Sequence, residues 1–562
     1  MKLISLKIRE SFRSLPANFE VRFLEDGQNL DLEEFRPFCM VGLNGCGKSN
    51  VLEALAHIFY QLELCVAVHL PQNILSDDEK IRTGGTIQSY HLEYLWHPNS
   101  LPTFELSNAR KVVIDKKNGK EPQMFVSSVN GSDKIQVSLS SSAINHMEAE
   151  GKKYLPKYVV AYSSGENETL SIPFIKSRLL HLDEFKEYTY KGIEGTPTTE
   201  NGLIYVDANM SQAILLCCLL FEEDKTLSGL RNIDNTGISK ISRFRMCLRE
   251  NYFSVSSFGD KVSYFKVLYE TLFRKFKSCS TMSWRDESNG NAVIYYDFYV
   301  NDATRDAFKA HFKSGIECFQ AFRLLYELNY HKIGEAKEKE IYDSQGIYTE
   351  GKFSLPGPEE DTFHFLDFFI SKKISKSGTC KEILLKAFSD GEHQFIHTMA
   401  ICLLLKDSDS LILLDEPETH FNPNWRSRFI SMLNETLHNG CLHSSNDIPT
   451  CNFLKEVLIT SHSPFIISDC LPHHVLLLYK DENGHTKAET ASERSIKTYG
   501  TSINVLTAEI FGNSDSIGQR AYQEMQAIKD EAKDKDKAIR KINSRFGESL
   551  DKLIAISELK EK

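Results

Sequence analysis

The sequence predicts a mixed α/β fold built on a parallel sheet, with an α+β, mostly helical domain inserted into it. One observation is an apolar strand, a glycine loop and a helix in succession over residues 35–60. Another is the strand pattern from Ser410 to Asp415, which ends in acidic residues, and a third is the apolar run from Glu456 to His462. Strands that are apolar on both faces are typical of parallel sheets covered by helices on both sides.

Composition places the chain among soluble proteins. It has 562 residues, of which 41% are hydrophobic and 25% charged, which is ordinary for a globular protein. No apolar run reaches the roughly 18 residues of a membrane span, and the N-terminus lacks the pattern of a signal peptide. The 13 cysteines form no C-x-x-C pair, which favours reduced thiols in a cytoplasmic protein. The net charge of −11 argues against general coating of nucleic acid but leaves room for a local basic groove.

Residues 35–60 read "FRPFCMVGLNGCGKSNVLEALAHIFY", and Gly42 to Ser49 match G-x-x-x-x-G-K-[ST]. A strand before this pattern and a helix after it predict a phosphate-binding loop. Glycines let backbone N–H groups surround a phosphate, and the helix N-terminus adds positive charge. We expect Lys48 to reach the β- and γ-phosphates of ATP and the Ser49 hydroxyl to bind Mg²⁺. The candidate nucleotide-binding residues of the loop are Gly42, Asn44, Gly45, Cys46, Gly47, Lys48, Ser49 and Asn50.

The acidic strand "SLILLDEPETHFNP", Ser410 to Pro423, has the pattern of a Walker B strand. We expect Asp415 to hold Mg²⁺ through water and Glu416 to orient or deprotonate the attacking water. These two residues are therefore the predicted metal-binding and catalytic carboxylates.

Two segments share a Ser-x-Gly-Glu pattern, "YSSGEN" at 162–167 and "FSDGEH" at 388–393. The second precedes an apolar helix and the Walker B strand, which is the order of the signature turn in ABC-type ATPases. Ser389, Gly391 and Glu392 are therefore the predicted signature residues. The first follows an apolar strand, and no long apolar helix is predicted directly after it. It is expected to be a strand-to-loop exit that contacts nucleotide or forms a hinge; a glycine turn with a polar cap is the alternative.

A further strand run, "EVLITSHSPFIISDC", carries a histidine at its exit. In ABC-type ATPases a histidine at this point senses the γ-phosphate, so His462 is the predicted switch residue. Gln88, before the strand pattern "YHLEYLW", is the candidate for the glutamine that contacts Mg²⁺.

Taken together, "GLNGCGKSN", "FSDGEHQ", "LLDEPETHFNP" and "ITSHSPF" resemble the RecF/Rad50-like, AAA_21-like ABC-type ATPases of bacterial anti-phage defence. Within that group the chain resembles the PtuA ATPases of Septu and retron-Septu systems. The resemblance covers about 1–170 and 380–515. It implies an ABC-type (SMC/RecF-like) P-loop ATPase head that uses ATP and Mg²⁺ and forms at least a dimer. The 100 residues after His462 contain no D-x-D metal strand, so no nuclease domain of its own is expected.

The resemblance also implies partners. They are a PtuB-like HNH nuclease controlled by this ATPase and, in retron versions, a reverse transcriptase with its RNA–DNA hybrid. A RecF-like ATPase of DNA repair that binds DNA ends is the alternative function. A nucleotide-locked scaffold that hydrolyses little ATP is a third hypothesis, and the intact Glu416 counts against it.

The motifs divide the chain into four predicted regions. They are an N-terminal lobe of the ATPase head with an antiparallel β lobe (1–166), an inserted mostly helical domain (167–382), a C-terminal lobe (383–517) and a charged helical tail (518–562). Smaller elements are also predicted: hairpins at 103–140, helices at 242–251 and 268–277, a strand at 292–300 and one long helix at 305–330.

Two charged segments leave alternatives open. The basic segment 371–381, with Lys372, Lys373, Lys376 and Lys381, is a candidate for contact between the inserted domain and nucleic-acid phosphates; a solvated loop is the alternative. The tail is expected to be an exposed helix pair that docks a partner, or a solvated and partly frayed helix.

Overall fold

The structure is a computed structural model, and it describes residues 1–24, 35–67, 82–98, 105–140, 149–165, 168–191, 202–249, 272–287, 292–330, 335–344, 361–375, 378–444, 455–512, 517–531 and 534–561. The strands in these ranges are β1 (Lys2–Ile8), β2 (Phe19–Arg22), β3 (Phe38–Val41), β4 (Tyr90–Trp96), β5 (Arg110–Lys116), β6 (Gln123–Ser128), β7 (Ile135–Val137), β8 (Tyr158–Ser163), β9 (Leu203–Tyr205), β10 (Ile238–Arg249), β11 (Met282–Asp286), β12 (Val293–Tyr299), β13 (Phe363–Lys373), β14 (Cys380–Leu384), β15 (Ser410–Asp415), β16 (Lys455–Ser461), β17 (Val475–Lys480) and β18 (Thr486–Thr490). The labelled helices are α1 (Lys48–Val66), α2 (Glu168–Lys191), α3 (Ala208–Phe221), α4 (Ser228–Arg231), α5 (Asp302–His311), α6 (Gly315–Glu327), α7 (Glu335–Asp343), α8 (Asp390–Leu404), α9 (Pro423–Arg426), α10 (Phe429–Ser444), α11 (Pro464–Ser468), α12 (Ile503–Phe511), α13 (Gln519–Asp530), α14 (Lys535–Arg545) and α15 (Leu550–Glu561). Residues 272–279 are helical as well.

The central layer is a seven-stranded sheet in the order β18-β17-β3-β16-β15-β8-β9. Every neighbouring pair is parallel except β17 and β18. The strands β3 and β8 come from the first part of the chain and β15 to β18 from the last part. Both ends of the sequence therefore build one sheet, and the predicted α/β fold class is confirmed.

The sheet is covered on both faces, which explains its apolar strands. Leu411 and Leu413 point into one core with α1 and the first antiparallel sheet. Ile412 and Leu414 point into a second core that includes α3, α8 and α10. Because successive residues of a strand face opposite sides, both sets are buried and the strand needs apolar residues throughout.

A six-stranded antiparallel sheet in the order β2-β1-β4-β5-β6-β7 lies against the first core. Its strands β5, β6 and β7 pair as hairpins, and Gly119 and Gly131 in the turns have φ values of 70° and 77°. The hairpins predicted at 103–140 are therefore confirmed over the described residues 105–140.

A five-stranded antiparallel sheet in the order β11-β12-β10-β13-β14 is formed by the inserted segment. The strand predicted at 292–300 is confirmed as β12, and the described part of the helix predicted at 268–277 is helical. The helix predicted at 242–251 is wrong, because residues 238–249 form strand β10. Phe244, Met246 and Leu248 are buried, whereas the alternate residues Arg243, Arg245 and Arg249 are half-buried, which is the period of two of a strand.

The single helix predicted at 305–330 is two helices, α5 and α6. The break occurs at Phe312, which is extended with φ −130° and ψ 129°. Ser314 then caps α6 by accepting a hydrogen bond from the Glu317 N–H. A serine that can cap a helix N-terminus competes with continuation of the preceding helix.

A long helix that the sequence did not predict follows the first Ser-x-Gly-Glu copy, and its residues are a mixture of apolar and polar ones. Helix α2 spans 24 residues and contains Pro173. A proline inside a helix removes one backbone hydrogen bond, and α2 nevertheless continues on both sides of Pro173. Glu166 of that copy lies outside the described residues.

The tail forms three helices, α13 to α15, rather than a helix pair or a frayed helix. They pack around a small core of their own, formed by Met525, Ile528, Ala538, Ile542, Ala555 and Leu559. In the part of the chain that the structure describes, no helix is both long and apolar enough to cross a membrane.

Candidate active site

The phosphate loop connects the carboxyl end of β3 to the first turn of α1. Gly42 and Gly47 have φ values of 152° and 88°, which L side chains rarely adopt. A Cβ on Gly42 would lie 2.1 Å from the carbonyl oxygen of Leu478, and one on Gly47 would lie 2.6 Å from the Ser14 hydroxyl. Glycine is therefore required at both positions by conformation and by close packing.

Lys48 is the first residue of α1 and is only 5% exposed. Its ammonium donates hydrogen bonds to the carbonyl oxygens of Gly42 (3.1 Å) and Leu43 (3.3 Å). Burial lowers the pKa of Lys48, and the charges of Glu416 and Asp415 partly oppose this effect. The ammonium thus lies inside its own loop, facing the acidic end of β15.

The other loop residues take three different positions. Asn44 and Gly45 are exposed at the tip, whereas Cys46 is buried and donates its N–H to the Leu43 carbonyl at 3.3 Å. Asn50 accepts a hydrogen bond from the Ser14 hydroxyl at 2.6 Å and donates to a carboxyl oxygen of α1. The loop is therefore fixed from its α1 side, while its tip is open to solvent.

Ser49 and Asp415 meet at the carboxyl end of the sheet. The Ser49 Oγ donates to the Asp415 Oδ1 at 2.8 Å, and the Thr460 Oγ1 donates to the same oxygen at 2.6 Å. Ser163 Oγ lies 3.5 Å from the other carboxylate oxygen. The register of three parallel strands explains this cluster, because Asp415 is directly opposite both Thr460 on β16 and Ser163 on β8.

Thr460 was not among the residues predicted for the site. The sequence signal that could have found it is the register itself, since β15 and β16 are apolar runs of similar length that end together. Ser163 was predicted to lie near the ligand crevice, and the structure places it beside Asp415. The first Ser-x-Gly-Glu copy is thus a strand exit next to the Walker B strand, and Ser164 Oγ also contacts Thr419 Oγ1 at 3.0 Å.

Glu416 and His462 form a pair at the same edge. The Glu416 Oε1 and the His462 Nε2 are 3.3 Å apart, and both side chains are about one-third exposed. The hydrogen bond from His462 lowers the pKa of Glu416, burial opposes it, and Lys48 adds to the lowering. Glu416 has φ 49°, a conformation of the left-handed region. Its N–H donates to the Thr460 hydroxyl at 3.0 Å, which holds this turn in place.

The predicted signature turn caps helix α8. Ser389 accepts a hydrogen bond from the Glu392 N–H, and the Glu392 carboxylate accepts one from the Ser389 N–H at 3.0 Å. A Cβ on Gly391 would lie 2.8 Å from the carbonyl oxygen of His420, so the helix packs tightly on the segment after the Walker B strand. Gln394 extends this contact by accepting a hydrogen bond from the His420 N–H at 3.0 Å. Ser389 itself is exposed at the surface.

The basic segment 371–381 is connected to the signature helix. Lys372 donates to Glu392 and also lies 4.7 Å from the centre of the Phe388 ring. Burial raises the pKa of Glu392, but the bonds from Lys372 and from the turn outweigh it and lower that pKa. Lys372 is thus bound within the protein, Lys373 and Lys381 lie on strands β13 and β14, and Lys376 lies outside the described residues.

Gln88 makes its side-chain hydrogen bond outside this cluster. Its side-chain amide donates to the carbonyl oxygen of Gly85 at 2.5 Å. That bond closes a local turn before β4. Its assignment as a metal-contacting residue stays a prediction without geometric support.

The residues around Ser49 and Asp415 fit a magnesium ion. Mg²⁺ prefers hard oxygen ligands and usually takes only one or two from the protein, with water and phosphate oxygens supplying the others. A serine hydroxyl and a carboxylate oxygen 2.8 Å apart, beside a phosphate loop, form such a set. Ser49 and Asp415 would hold the ion, which would supply charge neutralisation for the phosphates.

Comparison with known proteins gives one family. Residues 266–468 match the AAA_21 family, described as "AAA domain, putative AbiEii toxin, Type IV TA system". This range contains the signature turn, the Walker B strand and His462, but not the phosphate loop. No curated protein matches the chain.

Solved structures of SMC and RecF proteins resemble the chain at low identity. An SMC head bound to the C-winged helix domain of ScpA is 10% identical, with 88% of this chain and 100% of that chain covered and a TM-score of 0.32. The SMC head domain from Thermotoga maritima is 11% identical, with coverage of 87% and 99% and a TM-score of 0.31. RecF in a nucleotide-bound structure is 11% identical, with coverage of 86% and 97% and a TM-score of 0.26.

The phosphate loop, the acidic strand beside it and the switch histidine occupy one edge of the central sheet, and the family match covers the last two. Residues 266–468 are thus similar to the AAA_21 family, and the phosphate loop that lies before this range meets its acidic strand at Asp415.

Proposed function

We propose that this protein hydrolyses ATP with Mg²⁺ and uses hydrolysis to control a partner nuclease. The observation that carries the first part is the cluster of Lys48, Ser49, Asp415, Glu416 and His462 at the carboxyl end of the parallel strands. In open parallel sheets ligands bind at this end. Phosphoryl transfer needs positioning and charge stabilisation more than covalent chemistry, and these side chains supply both.

Each residue has a role that its geometry supports. The Lys48 ammonium exchanges its bonds to the loop carbonyls for bonds to the β- and γ-phosphates of ATP. Glu416 is the base that orients and accepts a proton from the attacking water, because its lowered pKa keeps it ionised and its side chain is partly exposed. His462, paired with Glu416 at 3.3 Å, holds that carboxylate and contacts the γ-phosphate.

The exposed signature turn supports action between two copies of the chain. Ser389 is at the surface, and its hydrogen bonds join it to Glu392 of its own helix. In ABC-type ATPases this turn meets the nucleotide held by a second subunit. We therefore propose a homo-oligomer, at least a dimer, in which Ser389 and Gly391 of one copy face Lys48 of the other.

Hydrolysis is tested by phosphate release and nucleotide binding measured on the same samples. Glu416→Gln is expected to slow hydrolysis by about 100-fold or more while ATP affinity stays within about threefold, since a base is lost and the binding loop is intact. Lys48→Ala is expected to lose ATP binding itself. Glu482→Gln, in the exposed turn between β17 and β18, is the matched control. Unchanged hydrolysis in Glu416→Gln would overturn the assignment of the base.

The second part, control of a nuclease in anti-phage defence, is supported by the motif resemblance to PtuA ATPases. The description of the matched family also names a toxin–antitoxin system. The partner is proposed to be an HNH nuclease of the PtuB kind, in a complex that includes a reverse transcriptase and RNA–DNA hybrid in the retron form.

Tagged purification from the native operon tests this part. Recovery of an HNH nuclease, with or without a reverse transcriptase and nucleic acid, is the expected result. A chain recovered alone that binds DNA ends only with ATP would instead favour a RecF-like role in repair.

A further inference from the structure

Glu418 is a second acidic residue close to Glu416, and it is almost fully buried. Its exposed fraction is 4%. Its Oε1 accepts a hydrogen bond from the Ser461 hydroxyl at the end of β16. Its Oε2 has no hydrogen-bond partner among the described residues. The carboxyl group therefore faces the loop that carries the switch histidine and not the solvent.

Ser461 passes this contact on to the residue beyond His462. Its hydroxyl oxygen accepts a hydrogen bond from the Ser463 N–H at 2.9 Å while its proton is donated to Glu418. The two residues that flank His462 are thus bound to each other, and both depend on the Glu418 carboxyl. The hydrogen bond between Ser463 and Ser461 thus forms a tight turn around His462.

Glu418 is itself fixed relative to Glu416. The Thr419 hydroxyl donates to the Glu416 carbonyl at 2.9 Å, and the Phe421 N–H donates to the Glu418 carbonyl at 2.9 Å. Arg426 Nε donates to that same carbonyl at 3.3 Å. The turn that carries both glutamates is therefore held by bonds on either side of Glu418.

We infer that Glu418 is a positioning residue for the proposed hydrolysis: through Ser461 it holds His462 within bonding distance of Glu416. The inference rests on the proposed function, in which the Glu416–His462 pair acts on the water and the γ-phosphate. A displacement of about 1 Å in such a pair can cost about 100-fold in rate.

The chemistry of the site argues that the carboxyl serves positioning and not stability. Burial raises the pKa of Glu418 to about 7, with the hydrogen bond from Ser461 acting in the opposite direction. A buried carboxyl with one oxygen unsatisfied weakens the folded state relative to an apolar side chain of similar volume. Leucine would pack there without this cost, but it would leave the Ser461 hydroxyl without its acceptor.

Four variants of the full chain separate these roles: Glu418→Leu, Glu418→Gln, Ser461→Ala and the double variant Glu418→Leu/Ser461→Ala. Glu418→Leu and Ser461→Ala are expected to lower kcat by roughly 10- to 100-fold with ATP affinity within about threefold. The double variant is expected to be no slower than the worse single variant, because both changes break one contact. Glu418→Gln keeps an acceptor oxygen and is expected to recover most of the rate.

Amide hydrogen exchange provides a readout that needs no catalysis. The Ser463 N–H is expected to exchange at least about tenfold faster in Glu418→Leu and Ser461→Ala than in the unaltered protein. Glu456→Leu, which removes a buried carboxyl at the other end of β16, is the matched control and is expected to leave this amide protected. If the unaltered chain hydrolyses no ATP, the proposed function fails, while the exchange result still tests whether Glu418 and Ser461 hold the residues around His462. Unchanged Ser463 exchange, or full kcat in Glu418→Leu, would overturn the inference.

Discussion

At the scale of single residues, the site depends on giving three nearby carboxylates different surroundings. Asp415 accepts hydrogen bonds from hydroxyls of α1 and of the neighbouring strand, and these bonds hold its carboxylate beside Ser49, the other proposed Mg²⁺ ligand. Glu416 pairs with His462, which lowers its pKa. Burial raises the pKa of Glu418 to about 7, although the hydrogen bond from Ser461 acts in the opposite direction. One short segment thus gives different environments to a proposed metal ligand, a proposed base and a proposed positioning residue.

The raised pKa of Glu418 predicts a pH-dependent effect on stability. A carboxyl that holds its proton more tightly when folded weakens the fold as pH rises from its unfolded pKa, about 4.5, to its folded pKa, about 7, and the loss stays constant above that. Glu416 adds to the shift and Arg426 opposes it. Glu418→Gln removes the titration, so its stability relative to the unaltered protein is expected to increase by about 2 to 3 kcal/mol between pH 5 and pH 8.

Urea unfolding of both proteins at the two pH values measures this difference. The amide of glutamine can still accept the Ser461 hydroxyl, so the variant isolates the charge. An equal stability difference at pH 5 and pH 8 would show that the Glu418 pKa is not raised.

At the scale of elements, the signature helix α8 joins three parts of the molecule. Its first turn is capped by Ser389, its Gly391 lies on the segment after the Walker B strand, and its Glu392 binds Lys372 of the inserted sheet. A movement of the inserted sheet would therefore reach the signature turn through the Lys372–Glu392 pair.

The cap at Ser389 and the cap at Ser314 allow a matched comparison. Each serine accepts a hydrogen bond from the N–H three residues later, so Ser→Ala is expected to cost about 1 kcal/mol of stability at either site. Only Ser389→Ala removes a group proposed to meet nucleotide, and it is expected to lower ATP hydrolysis by at least about tenfold. Hydrolysis rates and urea unfolding of the two variants, side by side, check this. Equal rates in both would remove the nucleotide role of Ser389.

How well the elements could be predicted depended on what each strand or helix buries. The strands β3, β15 and β16 are buried throughout and contain continuous apolar runs because both faces are covered, and the sequence predicted them. Strand β10 has arginine at alternate positions on its solvent side, and its basic composition was taken for a helix face. Helix α2 was not predicted because its residues are a mixture of apolar and polar ones, whereas a signature turn is expected to precede a long apolar helix.

The site residues could be predicted where the chemistry of phosphate and metal binding requires a particular residue type. They could not be predicted where only the register of neighbouring strands brings a residue to the site. Glycines, lysine and acidic residues of the two nucleotide motifs are fixed by phosphate and metal chemistry, and the structure brings Lys48, Ser49 and Asp415 together. Thr460 joins the site because parallel strands end side by side, and no local pattern marks it. Glu418 belongs to the quoted segment LLDEPETHFNP, but its contact with Ser461 follows from the position of β16 beside that turn. Gln88 had only its place before a strand to support it, and its amide closes a turn instead.

At the scale of the whole molecule, the two ends of the chain are combined into one sheet. The phosphate loop follows β3 and the proposed catalytic carboxylates lie at the end of β15, and β16 lies between these two strands. The signature turn packs on the segment after the Walker B strand, at His420, and Ser389 is exposed. Each copy would thus supply a complete Walker A and B site at one place and a signature turn at another.

Mixing two inactive variants tests whether the sites form between copies. Lys48→Ala has a defective loop and an intact signature turn, whereas Ser389→Arg has an intact loop and a turn blocked by a bulky charge. In a dimer that contains one chain of each variant, the intact loop of the Ser389→Arg chain meets the intact turn of the Lys48→Ala chain at one of the two sites. In a 1:1 mixture about half of the dimers contain both variants, and one of the two sites in each of these dimers works. Hydrolysis is therefore expected to return to at most about a quarter of the unaltered rate. Each variant alone is expected to be inactive.

The mixture distinguishes this arrangement from one in which each chain completes its own site. If the signature turn served the loop of its own chain, every site in the mixture would still carry one defect, and the rate would remain at the level of the separate variants. A mixture of Lys48→Ala with Glu416→Gln is the control, because both changes disable the same Walker A and B site and each mixed dimer then has no working site. Recovery with Ser389→Arg but not with Glu416→Gln would therefore require the nucleotide to lie between two copies of the chain.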